Sequence, residues 1–387
     1  MGVNSGARPA GVGCYPDGCP RFLLIVLRWQ GDDVTAWHVR AVRLPDGVVF
    51  QDSWLTAEGW QDQPVPDAQD LPGRFALPGL VDAHSHVSFR LGSDGPLPLD
   101  VKGAEANLER YAHDGVAVAR DAGGVPGVVL ALPSVVGRPH LVAAGRHLAP
   151  AGMYFEAVHD AVGPSDVVKV ALSELAAGAR WVKLVADFPP ASARALSAFA
   201  LPEQTYDLDV VRDLVTATHR AGGRVAAHVT TTVVTDLVRL GVDSVEHGLA
   251  LNRDTIAEMA ERGTAWTPTL CAGLSSPKDA PEERRRRVGE RREHFRELLP
   301  VAVRLGVPVL TGSDVVGSIP REIALLVECG VDPTDALRAA TSTAVRFLGA
   351  DAAAATSAVV TFDADPRDDP AVLTRPAAVV MGGVRVR

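Results

Sequence analysis

The sequence predicts an α/β fold: a (β/α)8 TIM barrel with a small β-sandwich domain formed by both chain ends. Three observations lead to this prediction. Short apolar runs alternate with helical segments, glycines mark many passages from helix to strand, and both chain ends show strand patterns alone. The alternative is a doubly wound open sheet. That fold usually has a glycine-rich phosphate-binding turn after its first strand, where this chain has His-Ser-His.

Both ends of the chain lack helical periodicity. Residues 1–20 are rich in Gly and Pro, and we expect them to form a disordered leader. Strand-like runs beyond the leader lie at 37–43, 47–54, 357–362 and 376–387. We therefore expect residues 21–76 and 355–387 to pair into one β-sandwich domain, with the barrel between them at 77–354.

The middle of the chain repeats a strand–helix unit eight times. The predicted strands are 80–86, 115–122, 139–145, 180–186, 224–229, 242–247, 264–269 and 307–314. The predicted helices are 101–114, 166–177, 207–221, 232–240, 252–262, 281–305, 320–329 and 333–348. Many helices begin at Asp or Thr and several end at Gly, which are common capping residues. Eight such units in succession predict a barrel with the helices outside.

Composition narrows the class of protein. The chain has 387 residues, 47% of them hydrophobic, and a net charge of −9 without a dense basic block, so we expect no nucleic-acid partner. The longest early apolar run, 22–27, is too short to span a membrane and has no signal cleavage site. Four scattered cysteines make no disulfide framework. We expect a cytoplasmic protein with a small-molecule substrate and no membrane partner. We also allow for a homo-oligomer, because symmetric homo-oligomers are common.

Polar residues occupy five of the predicted strands at or near their carboxyl ends. They are His84 and His86 in the first, Lys183 in the fourth, His228 in the fifth, His247 in the sixth and Asp314 in the eighth. Because side chains alternate along a strand, His84 and His86 project from one face. The carboxyl ends of barrel strands form one rim, where active sites lie. Each residue alone would more often be a core or capping residue, but six together predict a metal site.

Lys183 is unusual because it interrupts the apolar segment Trp-Val-Lys-Leu-Val. A charged lysine inside a strand is costly unless it is paired or modified. A buried lysine with a lowered pKa can react with carbon dioxide, and the resulting carbamate is an anion with two oxygens able to bridge two metals. Lys183 is therefore a candidate for carboxylation.

The six residues lie in five longer motifs: Pro78-Gly-Leu-Val-Asp-Ala-His84-Ser-His86, Trp181-Val-Lys183, Ala227-His228, Gly241-Val-Asp-Ser-Val-Glu-His247 and Thr311-Gly-Ser-Asp314. Together these five segments resemble the amidohydrolase superfamily, most of all its imidazolonepropionase-like and zinc-dependent prolidase-like members. The resemblance runs from about residue 37 to the C-terminus. The loops 186–190 and 229–232 depart from the pattern of many relatives, so the resemblance leaves the substrate open.

The resemblance implies a hydrolase of amide, peptide or cyclic-amide bonds with two divalent metal ions. The implied ligands are His84, His86 and Asp314 for the more buried metal, His228 and His247 for the more exposed one, and carboxylated Lys183 between them. Zinc suits these ligands, with manganese and iron as alternatives. A hydroxide bridging the metals would attack the carbonyl. Asp314 would be the catalytic acid–base, passing the proton to the leaving nitrogen.

Further residues are weaker candidates for the substrate site or for supporting the ligands. Arg120 and Asp121 close the second strand, where they would either orient a ligand histidine or substrate, or brace the barrel rim. His147 and His159 follow the third strand and are expected to approach the pocket. Alternation along the sixth strand predicts that Glu246 points away from the site, opposite to His247, in a structural role.

Other functions use the same residues. A mononuclear deaminase or cyclic-amide hydrolase would bind one metal through His84, His86, His228 and Asp314, leaving His247 as a hydrogen-bonding group. A lactone or ester hydrolase would use the same metal pair on another substrate. A non-catalytic scaffold is the alternative from another class, but such proteins typically lose ligands and this chain keeps all six.

Overall fold

The computed structural model describes residues 36–93, 95–197, 200–277, 279–349 and 352–387. The expected leader at 1–20, and the beginning of the expected β domain as far as residue 35, lie outside these ranges. Within them, no helix is both long enough and apolar enough to cross a bilayer.

The strands are numbered in chain order. They are β1 (Ala36–Arg43), β2 (Phe50–Thr56), β3 (Gly59–Gln61), β4 (Gln69–Leu71), β5 (Phe75–Pro78), β6 (Leu80–Ser85), β7 (Phe89–Gly92), β8 (Gly95–Pro98), β9 (Val116–Asp121), β10 (His140–Ala143), β11 (His147–Leu148), β12 (Trp181–Val185), β13 (Asp187–Phe188), β14 (Glu203–Gln204), β15 (Arg224–Val229), β16 (Ser244–His247), β17 (Ala265–Thr267), β18 (Ala358–Phe362), β19 (Ala378–Met381) and β20 (Val384–Arg385).

The α-helices are numbered in the same way. They are α1 (Val101–His113), α2 (Val167–Ala176), α3 (Ala191–Leu196), α4 (Leu208–Arg220), α5 (Val234–Leu240), α6 (Arg253–Arg262), α7 (Leu270–Gly273), α8 (Glu282–Leu305), α9 (Ile319–Glu328), α10 (Pro333–Ala339), α11 (Ser342–Leu348) and α12 (Ala352–Thr356). Asp100 and Asn252 cap α1 and α6 with their side chains, and Gly241, Gly263 and Gly306 end α5, α6 and α8 at positive φ.

Strands from both ends of the chain share one sheet, in the order β20-β19-β18-β5-β1-β2-β3, with β4 also paired to β1. The sheet therefore joins strands from the beginning of the described chain to strands from its end. Its strand β5 leads directly into β6 through Gly79. A Cβ at Gly79 would lie 2.3 Å from the Ala117 side chain and 2.7 Å from that of Ala358, so only glycine fits between them.

Two parallel sheets carry the predicted site residues. One has the order β10-β9-β6 and the other β11-β12-β15-β16-β17. Backbone hydrogen bonds join them on both sides. These bonds run from Leu310 N–H to Trp266 O and from Ala83 N–H to Thr311 O on one side, and from Arg180 N–H to Ala143 O on the other, each 2.8 or 2.9 Å. The carboxyl ends of these strands consequently lie side by side.

Two predicted elements differ from the structure. The eighth predicted strand, 307–314, makes bridges to its neighbours but no regular ladder; Pro308 has no N–H to donate, and Asp314 has a φ of 54°. The predicted helix 333–348 is divided into α10 and α11. The break frees the Ala340 carbonyl to accept a hydrogen bond from Val81 in β6.

Candidate active site

The four predicted histidines form a continuous series of neighbouring rings. The ring centres of His86 and His84 lie 5.1 Å apart, those of His84 and His247 also 5.1 Å, and those of His247 and His228 4.5 Å. The Asp314 carboxylate lies 3.6 Å from His86 Nε2. The structure thus brings these five side chains, which are far apart in the sequence, into one cluster at the carboxyl ends of the strands.

Three members of the cluster are spaced for a shared ion. One ligand atom from each of His84, His86 and Asp314 lies within 4.8 Å of the others. Imidazole nitrogens and a carboxylate oxygen are ligands that zinc and related divalent metals accept. This arrangement is a possible metal site.

Lys183 lies on β12 and is 1% exposed. Its Nζ has no hydrogen-bond partner among the described residues. Burial lowers the pKa of its amine to about 8, against the opposing effect of the Glu246 charge. Burial also lowers the pKa of His86 and of His228 to about 3, and the Lys183 charge lowers both further. Lys183, His86 and His228 therefore share one buried environment, in which the two histidines are neutral.

Hydrogen bonds fix which ring nitrogen of His84 and His86 carries the proton. His86 Nδ1 lies 2.6 Å from the Gly123 carbonyl, which can only accept, so Nδ1 is the donor. His84 Nδ1 lies 2.6 Å from Glu246 Oε2. Although burial opposes it, the charges of Arg120 and Lys183 keep the pKa of Glu246 below its usual value, so this carboxylate also accepts. Both Nε2 atoms therefore carry lone pairs.

In His247, as in His84 and His86, a hydrogen bond places the proton on Nδ1, and here the partner is a hydroxyl group. Its Nδ1 lies 2.6 Å from Thr269 Oγ1, and that hydroxyl donates in turn to the Pro268 carbonyl at 2.8 Å. The hydroxyl proton is thus committed, so His247 Nδ1 donates and its Nε2 is free to bind a cation.

The prediction that Glu246 points away from the site is wrong. Glu246 is fully buried and contacts His84, while its neighbour His247 also reaches the cluster. Strict alternation would separate the two side chains. His247 has a φ of 67°, which ends the strand geometry at that residue and turns its ring into the site. Left-handed backbone at a non-glycine residue is costly and is common at functional sites.

Arg120 and Asp121 each lie one contact away from one of the histidines. Arg120 Nη2 lies 2.6 Å from Glu246 Oε1, so Arg120 reaches His84 through Glu246. Asp121 accepts hydrogen bonds from Val87 N at 2.8 Å and Gly123 N at 3.1 Å. It thereby braces the turn whose carbonyl binds His86. Each of the two residues thus contacts a group that is hydrogen-bonded to one of the histidines.

His147 and His159 lie at different depths. His147 is opposite Lys183 in the pairing of β11 with β12, and its ring centre is 5.5 Å from that of His86. Neither of its ring nitrogens has a partner among the described residues. His159 contacts the far side of Tyr154, with ring centres 5.7 Å apart, and its Nδ1 lies 3.2 Å from the Phe155 carbonyl. His147 adjoins the cluster, whereas His159 is one ring further out.

Sequence reasoning assigned no role to Asp82, which is buried beneath the cluster. Its carboxylate accepts from His84 N at 3.2 Å and from both Ser313 N and Ser313 Oγ. Burial raises the pKa of Asp82 to about 7. The residue ties β6 to the segment carrying Asp314. The sequence could have predicted this position, because side chains alternate along a strand and Asp82, His84 and His86 therefore share one face.

The fold and the site define a class of protein: α/β proteins with a candidate metal site of histidine and aspartate side chains at the carboxyl ends of parallel strands. The amidohydrolase family matches residues 75–354 of the chain. An uncharacterized protein of Mycobacterium tuberculosis is 33% identical over 369 residues, which cover 89% of this chain and 94% of the relative. The chain belongs to the amidohydrolase family, which places it among hydrolases that act on carbon–nitrogen bonds.

Solved structures with the same fold include prolidases. A prolidase bound to N-methylphosphonate-L-proline is 24% identical with a TM-score of 0.73, covering 91% of this chain and 100% of that one. An Xaa-Pro dipeptidase with bound methionine is 19% identical with a TM-score of 0.72, covering 90% and 99%. At these identities the likeness concerns the fold.

Proposed function

We propose that the chain is a metal-dependent hydrolase of amide, peptide or cyclic-amide bonds with a binuclear centre. One observation carries the proposal: His84 Nε2 and His86 Nε2, each with a lone pair, lie 3.3 Å apart. Both Nδ1 protons are donated to other groups, so no hydrogen bond joins the two Nε2 atoms and their lone pairs repel each other. A cation bound between them would attract both lone pairs. The residues present therefore fit a metal ion.

The proposed ligands divide into two sets. His84, His86 and Asp314 would hold the more buried ion, and His228 and His247 would hold the more exposed one. Lys183, converted to a carbamate, would serve as a ligand to both. Zinc is the proposed metal because imidazole and carboxylate ligands suit it. Bound there, the ions would lower the pKa of a water molecule and polarise the substrate carbonyl.

The state of Lys183 supports carboxylation. A pKa near 8 leaves part of the amine neutral at physiological pH, and the neutral nitrogen can attack carbon dioxide. The ammonium first loses one proton. The neutral nitrogen then forms an N–C bond while one C–O π bond of carbon dioxide opens, and a second proton leaves the nitrogen, so the side chain changes from a cation to an anion. This change would give the unpartnered Nζ position a ligand role and would favour two metals over the one of a deaminase-like site.

Two residues would act on the substrate directly. Asp314 stands beside His86 and would take the proton of the attacking water, then donate it to the leaving nitrogen. His147 is a buried neutral imidazole without a partner among the described residues, so it would donate a hydrogen bond to the carbonyl oxygen as negative charge develops there. His159, Arg120 and Asp121 would act only through their neighbours.

The proposal extends to the fold. We infer that the two parallel sheets are one (β/α)8 barrel closed through 307–314. In support, apolar side chains from seven of the eight predicted strands belong to one buried cluster: Val81, Ala83, Val118, Val142, Ala144, Trp181, Ala226, Ala265 and Leu310. We also infer that 77–354 is the barrel domain and that 21–76 with 355–387 is a separate β-sandwich domain.

Removing and restoring metal tests the function. Chelated and dialysed protein should lose amidase activity and regain it with zinc or manganese. The substrate panel should contain Xaa-Pro dipeptides, N-acyl amino acids, cyclic amides and lactones, because the fold relatives include prolidases while the loops 186–190 and 229–232 leave specificity open. Full activity in metal-free protein would contradict the proposal. Hydrolysis of lactones alone would favour the ester-hydrolase alternative.

A further inference from the structure

A buried ion pair stands behind His84, on the side away from His86. Arg120 and Glu246 are both fully buried, and Glu246 uses one oxygen for each neighbour: Oε2 for His84 Nδ1 and Oε1 for Arg120 Nη2, both at 2.6 Å. Arg120 Nε also donates to the carbonyl of Ala83, the residue before His84. Three strands, β6, β9 and β16, therefore meet in one hydrogen-bonded group around a proposed ligand.

Arg120 is itself held by an aromatic ring. Its guanidinium lies 4.5 Å from the centre of the Trp181 ring, and the guanidinium of Arg224 lies 4.4 Å from the same centre. Arg224 also lies 4.1 Å from the ring centre of Phe347 and donates to Asp243. Contacts between cations and aromatic rings are strongest where water is excluded, and Trp181 is 1% exposed. The series therefore runs from His84 through Glu246, Arg120 and Trp181 to Arg224.

We propose that Arg120 is a positioning residue for the metal site, which acts on His84 through Glu246 and is kept in place by Trp181 and Arg224. This inference rests on the proposed metal site. Glu246 contacts His84 Nδ1 through one oxygen and Arg120 Nη2 through the other, so Arg120 fixes the position of the carboxylate that orients the His84 ring. The guanidinium of Arg120 is planar, so it can bind the carboxylate and stack on the Trp181 ring at the same time. The ammonium group of a lysine could not do both.

The alternative is a pair that only braces the core. Truncating either partner would then lower stability without changing the affinity of the folded protein for metal. Metal affinity separates the two interpretations, because a positioning residue changes the geometry of a ligand that the protein still possesses.

The experiment compares zinc affinity by competition with a chromophoric chelator and measures thermal stability in parallel. The variants are Glu246→Gln, Arg120→Met, the double variant and Arg224→Met. We expect Glu246→Gln and Arg120→Met each to weaken zinc binding about 10- to 100-fold. Their effects should not add in the double variant, because both remove the same support. Arg224→Met should weaken binding several-fold although it touches no proposed ligand.

Arg239→Met is the matched control. Arg239 binds Glu258 at 2.6 Å in an equally short pair, but on the surface, so its loss should leave zinc affinity unchanged. If Arg120→Met fails to fold, the double variant still tests the proposal, since it leaves no buried unpaired charge. Wild-type affinity in Glu246→Gln and the double variant, or additive losses, would overturn the inference. A wild-type protein that binds no zinc would instead contradict the proposed function.

Discussion

His84 Nε2 and His86 Nε2 lie 3.3 Å apart with no proton between them. The Nδ1 proton of His84 is held by Glu246 and that of His86 by the Gly123 carbonyl. Two lone pairs at this distance repel each other, and the surroundings are too dry for water to screen them. The protein holds both rings in this arrangement by buried hydrogen bonds, which is how metal-binding histidines are supported.

His86→Asn should greatly reduce metal binding. The substitution removes one of two facing lone pairs and the neighbour of Asp314, so the more buried ion loses a ligand. Elemental analysis of purified protein should find at least one equivalent of metal fewer than in the wild type. His219→Asn is the control, because His219 is half-exposed and binds Asp243. Equal metal contents in His86→Asn and wild type would contradict the assignment.

Asp314→Asn should lower kcat/KM by about 10²- to 10⁴-fold, the usual contribution of a positioned acid–base group. The amide cannot accept the proton of the attacking water and return it to the leaving nitrogen. The loss should be smaller for substrates with a good leaving group, such as a nitroanilide, because those need less help at that atom. An equal loss for every leaving group would indicate that Asp314 serves only as a metal ligand.

His147→Leu should retain metal but lose about 10²- to 10³-fold in kcat, as when one donor to a developing oxyanion is removed. Leucine fills the buried position without supplying an N–H. His159→Leu provides the comparison, because His159 lies behind Tyr154. Similar kinetics in the two variants would contradict a direct role for His147.

Acid should destabilise the metal-free protein through its buried histidines. Burial lowers the pKa of His86 to about 3. Below about pH 6.5, His86 therefore becomes protonated in the unfolded chain but stays neutral in the native protein. This contribution to the free energy of unfolding is present above pH 6.5 and falls by up to about 1.4 kcal/mol per pH unit towards pH 3. Burial also lowers the pKa of His228 to about 3, so its contribution to the free energy of unfolding changes with pH in the same direction.

Buried carboxyls oppose this trend. The pKa of Asp82 and that of Asp121 are raised to about 7 by burial, so their contributions grow as the pH falls. Urea unfolding of wild type and His86→Asn at several pH values isolates the histidine. The variant should gain stability relative to wild type as the pH decreases from about 6.5. A constant difference between the two proteins would show that His86 does not resist protonation.

Sequence patterns predicted most of the secondary structure and the position of the cluster. Seven of the eight predicted strands form regular strands, and His84, His86, His228, His247 and Asp314 meet as expected. Alternation could not predict the direction of Glu246, because the turn at His247 depends on a φ of 67° that no residue type there requires. The orienting contacts of Gly123 and Thr269 likewise depend on loop geometry, which periodicity does not encode.

Lys183 distinguishes a binuclear centre from a mononuclear one most directly. Protein prepared with bicarbonate and zinc should contain two zinc ions per chain, and native mass spectrometry should detect the added mass of one carbon dioxide. Lys183→Ala should lack that mass, bind one zinc ion and lose most amidase activity. A wild-type protein with a single zinc ion, no added mass and the same activity as Lys183→Ala would contradict the binuclear site.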